Sequence, residues 1–453
     1  DQWNILRPLV MNSLATGNDA LIVGDAKQSI YRWRGGNMEL LLGGVKKDLA
    51  AFKDIIEEKS LLQNYRSLEQ VVTFNNRFFE AALPVFKDQL KFGNDNLGIA
   101  YEPSSMIQQT DPKKAGLGYV EAILWDKPEK ADKKGNSDEE DATDATWKER
   151  SLAYLLEQVP LLLEKGYALR DLAVLVRKGS EEQEIADYLL NNSNYPFLSS
   201  NSLLVANNDK VKLMLNCLQY LTGNDESLLL QEIMRVHSGA GQPPTSDIPY
   251  RDTRKTAEHD EFLSKLKASR KTLLSLPVDL TCARIRQLAS FDQPDPYLDL
   301  FADIVAAYSG RYGTGIESFL LWWDKESEAR AWSIEVPEQT DAIRILSIHR
   351  SKGLEFPVVF MPFIDWDITP SRNGLLWVNG QTEPFSNFGT LPVVPSSRLE
   401  GTDFEMAYFE EYDEGIIDNL NLLYVAFTRA GRELRLMLTA GGKKNRIAAH
   451  VES

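Results

Sequence analysis

Two stretches of alternating helix and strand patterns flank a long interval that carries helical patterns alone. A helical pattern over 151–165 is followed by an apolar strand pattern over 172–177 and by a helix that begins near Ser180. Strand patterns return over 342–348 and 357–361. Strands that alternate with helices pair in parallel and are covered on both faces. The two stretches therefore predict one α/β unit.

The interval between these stretches predicts a separate domain. Over 207–332 the apolar residues recur mainly at helical spacing, with a break over 239–244. This pattern indicates a mostly helical insertion, after which the α/β unit is completed. A chain of 453 residues is long enough for two to four compact units, so this organisation fits its length.

Shorter patterns add further predicted elements. Residues 20–23 are predicted to form a buried strand, 60–63 the end of another, and 118–125 a third. Residues 67–70 match a capping box that would begin a helix. The stretch 127–147 consists largely of Lys, Asp, Glu, Gly and Ser and is predicted to be a mobile loop or linker, in preference to an acidic mimic of DNA.

Composition excludes several classes of protein. No apolar run suits a membrane span and no secretory signal opens the chain, so no membrane partner is expected. Cys217 and Cys282 lie far apart, which excludes a disulfide framework and predicts buried thiols in a cytoplasmic protein. The four histidines do not cluster at metal-ligand spacing, so no dedicated metal site is expected.

The charge balance bears on nucleic-acid binding. A net charge of −16 opposes it for the surface as a whole, because phosphate contacts usually come from a basic surface. Much of the acidity is concentrated over 138–141 and 405–414. A local basic groove is therefore compatible with the overall charge.

Two arginines occupy positions from which a phosphate can be reached. Arg429 follows an apolar helical face that ends at Phe427, so its guanidinium is predicted to project into a cleft. An arginine placed in this way neutralises charge on a transferring phosphoryl group. Arg66 follows Tyr65 at a strand-to-helix turn. Each alone is better interpreted as a surface arginine, whereas the two together beside polar loops favour the phosphate role.

The loop over 24–36 combines polar and aromatic side chains. Gln28 can bridge a phosphate and a water, or can hydrogen-bond within the loop. Trp33 stands between Arg32 and Arg34 and offers an aromatic face beside two cations, although a tryptophan is more commonly a core residue. Stacking of one base on an aromatic ring contributes ~1–3 kcal/mol and tolerates any base.

Three further features fit a nucleotide, each with a plainer alternative. Tyr65 can stack on an adenine or pack against its neighbours. His349–Gly353 has the form of a strand-end loop whose glycine lets a phosphate approach the backbone. Glu355 can accept a hydrogen bond from a ribose hydroxyl. The sequence contains neither Gly-x-x-x-x-Gly-Lys-Ser/Thr nor an Asp-Glu pair ending a strand before Asp25, so the residues alone indicate only an α/β nucleotide- or nucleic-acid-associated protein.

Four segments together resemble a known family. Residues 24–36, 63–67, 347–355 and 423–430 resemble motifs III, IV, V and VI of the UvrD/Rep family of superfamily-one DNA helicases, in order and approximate spacing. The stretches 319–323 and 351–357 look closer to the RecB/AddA helicase–nuclease branch. The resemblance covers the chain from end to end.

The resemblance implies roles for ten residues in three groups. Gln28, Arg66 and Arg429 would act on the ATP γ-phosphate as catalytic residues; Tyr65, Arg66, Glu355 and Arg429 would bind ATP; and Tyr31, Trp33, Arg34, His349 and Lys352 would bind single-stranded DNA.

The resemblance also implies a fold and its domains. The expected fold is a RecA-like (P-loop NTPase type) parallel sheet with helices on both faces, plus an inserted, mostly helical 2B-type domain. The expected boundaries are 1–59 for the remainder of the first RecA-like domain, 60–206 and 339–453 for the second, and 207–338 for the insertion.

The implied activity is that of an ATP-dependent 3′–5′ DNA helicase or translocase in recombination and repair. ATP and Mg²⁺ are the expected cofactors, with most Mg²⁺ ligands outside this chain. The expected partners are single-stranded or tailed duplex DNA and a second helicase–nuclease subunit. The missing motifs indicate a fragment that begins just after motif II and is inactive alone, and any nuclease domain would lie beyond Ser453.

Small departures from the family pattern leave alternatives open. Ser347 stands where the family commonly has Thr, and Asn419 and Asn421 stand where charged residues are frequent, so a salt bridge is expected to be lost there. A non-catalytic helicase-like scaffold or DNA-binding subunit is the alternative function. An RNA translocase also stays open, because stacking does not distinguish the two sugars.

Overall fold

A parallel sheet forms the centre of the first of two units into which the chain divides. In this computed structural model the units are Asp1–Phe197 with Asp341–Ser453, and Leu198–Thr340. The structure describes residues 2–93, 95–126, 138–199, 202–223, 233, 253–330, 332–334, 339–368, 374–380, 383, 385–440 and 447, with backbone alone over 138–146, 253–260 and 328–330.

The described strands and helices are numbered along the chain. The strands are β1 Gln63–Asn64, β2 Gln109–Thr110, β3 Tyr119–Trp125, β4 Leu172–Val176, β5 Phe197–Ser199, β6 Ile343–Ser347, β7 Phe356–Met361, β8 Leu376–Asn379, β9 Thr390–Val393 and β10 Ala430–Thr439. The α-helices are α1 Gln2–Ala15, α2 Val45–Asp48, α3 Glu69–Lys87, α4 Asn96–Ala100, α5 Pro103–Met106, α6 Asp138–Glu164, α7 Gly179–Asn192, α8 Asp209–Thr222, α9 Thr253–Leu274, α10 Val278–Leu288, α11 Pro296–Tyr312, α12 Ile316–Arg330, α13 Ile348–Ser351 and α14 Glu405–Phe427.

The central sheet has the strand order β3-β10-β7-β4-β6-β5. The pairings β3–β10, β10–β7, β7–β4 and β4–β6 are all parallel. All five residues of β4 are buried, which explains why this strand is a continuous apolar run rather than an alternating one. The mixed α/β architecture with a central parallel sheet agrees with the expected RecA-like fold.

Each face of the sheet is covered by its own apolar core. One core joins Ala173 and Leu175 of β4 to α3 and α14, and the other joins Leu172 and Val174 to α6 and α7. Because successive strand residues point to opposite faces, the same short strand contributes to both cores. Helices therefore lie on both faces of this sheet.

A charged network interrupts the second of these cores at the sheet edge. Arg435 of β10 donates to Glu433 at 2.7 Å, to Glu121 of β3 at 3.0 Å and to Gln158 of α6 at 2.9 Å. Burial and the neighbouring Glu121 raise the pKa of Tyr154, which donates to the same Glu121 carboxylate. Ionised pairs buried in this way are tolerated only with good hydrogen bonding, and here the two η-nitrogens of Arg435 have acceptors whereas its buried Nε has none.

The prediction of a buried strand over 20–23 is wrong. No strand is formed there, and Leu21 and Val23 are 89% and 70% exposed. No strand in the described part of the chain pairs with this segment. An apolar run indicates only that a side chain prefers burial, and a strand also needs a neighbouring backbone.

Two other local predictions need correction. The capping box over 67–70 does not form: α3 begins at Glu69 after Leu68, and the Ser67 hydroxyl donates instead to the Ala430 carbonyl at 2.8 Å. The loop predicted over 127–147 lies outside the described residues at 127–137, and from Asp138 the chain is helical. Trp147 of α6 is buried against Phe363, so its apolar packing extends the helix beyond the predicted start.

The second unit is built from helices α8 to α12. The Asn208 side chain accepts from the Lys210 amide at 2.9 Å and begins α8, and Gly223, at φ 92°, ends it. Cys217 and Cys282 are buried in its core as free thiols, as predicted, and burial raises the pKa of Cys282 to about 12. The helical pattern over 207–332 lies within this unit.

None of the helices in the described part of the chain combines the length and the apolar character needed to cross a membrane.

Candidate functional site

Asp25 precedes and caps a 3₁₀ turn, Ala26–Gln28. Its carboxylate accepts from the Lys27 amide at 3.1 Å, from the Lys27 ammonium at 2.9 Å and from the Gln28 side-chain amide at 3.1 Å. Burial raises the pKa of Tyr424 on α14, and the nearby Asp25 carboxylate raises it further. Gln28 is thus held beside a carboxylate at the start of the candidate site.

A second 3₁₀ turn, Arg32–Arg34, presents an aromatic ring to solvent. Trp33 is 68% exposed, and the Arg34 guanidinium lies 4.5 Å from the centre of its ring. Tyr31 meets Trp33 edge to face at 6.2 Å. This exposed position agrees with the stacking interpretation of Trp33 rather than with a core role.

Residues in and directly after the short helix α13 contact this loop. The Tyr31 hydroxyl donates to the His349 carbonyl at 2.5 Å, and the two rings lie 5.6 Å apart. The Lys352 ammonium lies 5.3 Å from the centre of the Tyr31 ring. The structure therefore brings Tyr31, Trp33, His349 and Lys352 together, although the two pairs are more than 300 positions apart in sequence.

A cation that the sequence interpretation missed lies beside His349. Arg177 directly follows β4. Burial lowers the pKa of His349, and the positive charge of Arg177 lowers it further. Burial also lowers the pKa of Arg177 itself. Functional side chains gather at the carboxyl ends of parallel strands. That rule, applied to the predicted strand over 172–177, would have singled out Arg177.

Acidification is expected to destabilise this region through His349. The folded-state pKa lies below the unfolded value, so the unfolded chain takes up a proton first and stability falls as the pH drops through and below about 6.5. The protonated ring would face the positive charge of Arg177. Urea unfolding at pH 7.5 and 5.5 should therefore show a larger loss of stability for the unsubstituted chain than for His349→Asn. Equal losses would contradict the prediction.

Arg66 and Glu355 form an ion pair, although they lie 289 positions apart. The Arg66 Nε donates to the Glu355 carboxylate at 2.7 Å, and an η-nitrogen donates to the Thr428 carbonyl at 3.3 Å. Tyr65 beside them is 79% exposed. The sequence interpretation gave Arg66 and Glu355 separate contacts with a phosphate and a ribose, whereas here they contact each other.

Arg429 lies in the two-residue connection between α14 and β10 and is only 1% exposed. The sequence predicts an arginine that projects into a cleft, and the structure encloses it instead. Its guanidinium donates to the carbonyls of Val425 and Leu354, both at 2.9 Å, and to the Thr428 hydroxyl at 3.2 Å. In the described part of the chain no carboxylate forms an ion pair with it.

Arg429 lies near charges of both signs, and Asp25 and Glu355 only partly offset the effects that disfavour its own charge. Burial, and then the nearby positive charge of Arg66, lower the pKa of Arg429 to about 10. Burial and Arg429 likewise lower the pKa of Lys352. Arg66 and Lys352 thus lie near Arg429, together with the carboxylates of Asp25 and Glu355, and such a cluster of cations suits a multiply charged anion.

The predicted site residues therefore fall into two groups within the first unit. The first group lies around Asp25 and Tyr424 and consists of Gln28, Arg66, Glu355 and Arg429. The second, called the aromatic group below, consists of Tyr31, Trp33 and His349 together with Arg34. Lys352 interacts with Arg429 in the first group and with Tyr31 in the second. Tyr65 is exposed beside Arg66.

Asn421 ties the loop to α14. It accepts from the Tyr101 hydroxyl at 2.9 Å and donates to the Ser29 carbonyl at 3.4 Å. Asn419, two residues earlier, accepts from the Trp366 indole at 2.8 Å. Buried amide hydrogen bonds thus occupy the two positions where the sequence comparison expected a lost salt bridge.

Two segments of the chain match known protein families. Residues 2–48 match the UvrD/REP helicase N-terminal domain, and residues 325–441 match the UvrD-like helicase C-terminal domain. These two matches contain every predicted site residue except Tyr65 and Arg66. They confirm the resemblance to UvrD/Rep helicases.

The chain also resembles one subunit of the ATP-dependent helicase/nuclease of several bacteria. It is 23% identical to that protein of Carboxydothermus hydrogenoformans, over 95% of this chain and 39% of the relative. The protein of Bacillus velezensis is 23% identical over 98% of this chain and 39% of its own length. That of Streptococcus pneumoniae is 24% identical over 98% and 40%. The chain thus spans about two fifths of the length of these relatives.

Proposed function

We propose, for a chain that matches both UvrD-type helicase domains, a role as the motor of an ATP-dependent 3′–5′ DNA helicase or translocase. Its substrate would be single-stranded or tailed duplex DNA in recombination and repair. It would act with a second subunit, since the relatives are named as subunits of a helicase/nuclease. Under this proposal the second unit is the inserted 2B-type domain and the first contains the RecA-like parts.

The observation that carries the proposal is the buried Arg429 guanidinium, which forms no ion pair with a carboxylate among the described residues. A buried guanidinium without a carboxylate partner costs stability, and a bound anion would recover it. The triphosphate of ATP supplies such an anion. Arg66 would reach the same phosphates after exchanging its contact with Glu355, which would then be free to accept from the ribose.

The remaining residues near Asp25 would orient the nucleotide. Tyr65, exposed beside Arg66, would stack on the adenine, and Gln28 would contact the γ-phosphate or the attacking water. No group of three His, Cys, Asp or Glu side chains in the described residues is placed to hold a metal ion. No described residue is therefore assigned to Mg²⁺, which would neutralise phosphate charge when bound.

The aromatic group would contact DNA. Trp33 would stack on a base, with Tyr31 supporting it, and Arg34, Lys352, His349 and Arg177 would face the phosphate backbone. Lys352 interacts with members of both groups, so it offers a direct link between nucleotide and DNA. The chain of 453 residues contains no Gly-x-x-x-x-Gly-Lys-Ser/Thr, and we propose that it hydrolyses ATP slowly on its own.

Binding measurements with this chain test the proposal. Fluorescence anisotropy of a labelled dT oligonucleotide should rise on addition of the protein, and Mg²⁺-ATP should change the measured affinity. Binding of DNA that ATP does not affect would favour the alternative of a non-catalytic DNA-binding subunit. Absence of binding to both ligands would contradict the proposal, and equal binding of a U oligonucleotide would favour the RNA alternative.

A further inference from the structure

Arg32 lies between the two predicted nucleic-acid ligands Tyr31 and Trp33, but its side chain turns in another direction. Its two η-nitrogens donate to the two carboxylate oxygens of Glu411 at 2.9 and 2.8 Å. Its Nε donates to Asp418 at 2.9 Å. Both acidic residues belong to α14. One face of this helix therefore binds the whole guanidinium.

These contacts leave Arg32 little capacity for a phosphate. The hydrogen bonds to Glu411, together with those to Asp418, raise the pKa of Arg32 despite its burial. Each of its three nitrogens already has a carboxylate acceptor, the strongest arrangement for a guanidinium. The guanidinium of Arg34 instead stacks on Trp33, and in the described part of the chain it forms no ion pair.

The contacts of Arg32 also fix the backbone that presents Trp33. The Tyr31 carbonyl accepts from the amides of Arg34 and Gly36, both at 2.9 Å. Gly36 is required for this close turn, because a Cβ there would lie 2.9 Å from the Tyr31 oxygen. On one side of Trp33 the Tyr31 hydroxyl is bound to His349, and on the other Arg32 is bound to α14. Trp33 is thus an exposed member of a turn that is anchored at two points.

We propose that Arg32 is a positioning residue that holds Trp33 exposed for base stacking, through its ion pairs with Glu411 and Asp418, without contacting phosphate. The inference rests on the proposed function. Anchoring the turn before DNA arrives removes the entropic cost of ordering it on binding. Arg32 therefore acts through Trp33, and Arg34 supplies the charge that meets the backbone.

The salt dependence of binding separates positioning from phosphate contact. Affinity for a labelled dT oligonucleotide is measured by anisotropy from 50 to 300 mM NaCl for the unsubstituted chain, Arg32→Met and Arg34→Met. Arg32→Met should weaken binding about tenfold, within the range of one lost base stack, with an unchanged salt slope. Arg34→Met should lower the slope by about 0.7, as expected for one phosphate contact to a single strand. A similar fall in slope for Arg32→Met would overturn the inference.

A double-mutant cycle tests whether Arg32 acts through Trp33. In a Trp33→Ala background, Arg32→Met should cause no further loss of affinity, whereas an independent role would give additive losses and overturn the inference. The double variant Glu411→Gln/Asp418→Asn removes the carboxylate partners of Arg32 and should reproduce the loss of affinity. It keeps the test valid if Arg32→Met does not fold. Full affinity in that double variant would also overturn the inference. If the unsubstituted chain binds no single-stranded DNA, the proposed function fails and the inference with it.

Discussion

Replacing Arg429 with methionine is expected to weaken binding of Mg²⁺-ATP by about 30-fold or more. The guanidinium is buried, forms no ion pair with a carboxylate among the described residues and has a pKa lowered to about 10, so a bound triphosphate would be the first anion in direct contact with it. Removing one partner of a buried, hydrogen-bonded charge pair typically costs about 2–5 kcal/mol. The measurement is the rise in melting temperature across a millimolar range of Mg²⁺-ATP, which should be present in the unsubstituted chain and absent in Arg429→Met.

An exposed arginine in the first unit provides the control. Arg350 lies in α13 and is exposed, so Arg350→Met should keep the nucleotide-dependent rise. Sodium tripolyphosphate should stabilise the unsubstituted chain as well, because the proposal places the triphosphate, and not the base, against Arg429. An ATP-dependent rise in Arg429→Met equal to that of the unsubstituted chain would remove Arg429 from the nucleotide site.

Replacing Trp33 with alanine is expected to lower the affinity for single-stranded DNA by about 5- to 150-fold. The ring is 68% exposed and is flanked by Tyr31 and Arg34, and one base stacked on such a ring contributes ~1–3 kcal/mol. Trp33→Phe should recover part of the loss, since a smaller aromatic ring still stacks. Anisotropy with a labelled dT oligonucleotide measures both variants.

Trp377 is the matched control for this substitution. It lies on β8, which pairs only with β9 in the described part of the chain, and it is 65% exposed. Trp377→Ala therefore removes a tryptophan of nearly equal exposure outside the proposed site, and the affinity should not change. If both variants lose affinity equally, stacking on exposed tryptophan is unspecific and Trp33 has no special role.

The sequence predicts the central strands well because of where they lie. β4 and β7 are buried on both faces, so their apolar runs follow directly from their environment. The same reasoning failed over 20–23, where an equally apolar run stays exposed. Residue type reports the preference for burial, whereas the presence of a partner strand is a tertiary property.

The sequence predicts which residues belong to the candidate site better than it predicts their contacts with one another. The motifs located Arg66, Glu355 and Arg429, but the ion pair between Arg66 and Glu355 joins residues 289 positions apart. No local pattern encodes such a pairing. The positioning role of Arg32 is not predicted for a related reason, because its partners lie on a helix that begins more than 370 positions later.

The helix α14 constrains the number of residues in this part of the chain as well as their types. Glu411 and Asp418 are seven residues apart, about two turns or 10.5 Å, and so share the face that binds Arg32. Arg429 follows two residues after the helix ends. One residue inserted between Asp418 and Phe427 would turn everything beyond it by about 100° relative to Arg32. Insertions should therefore be tolerated only outside this segment.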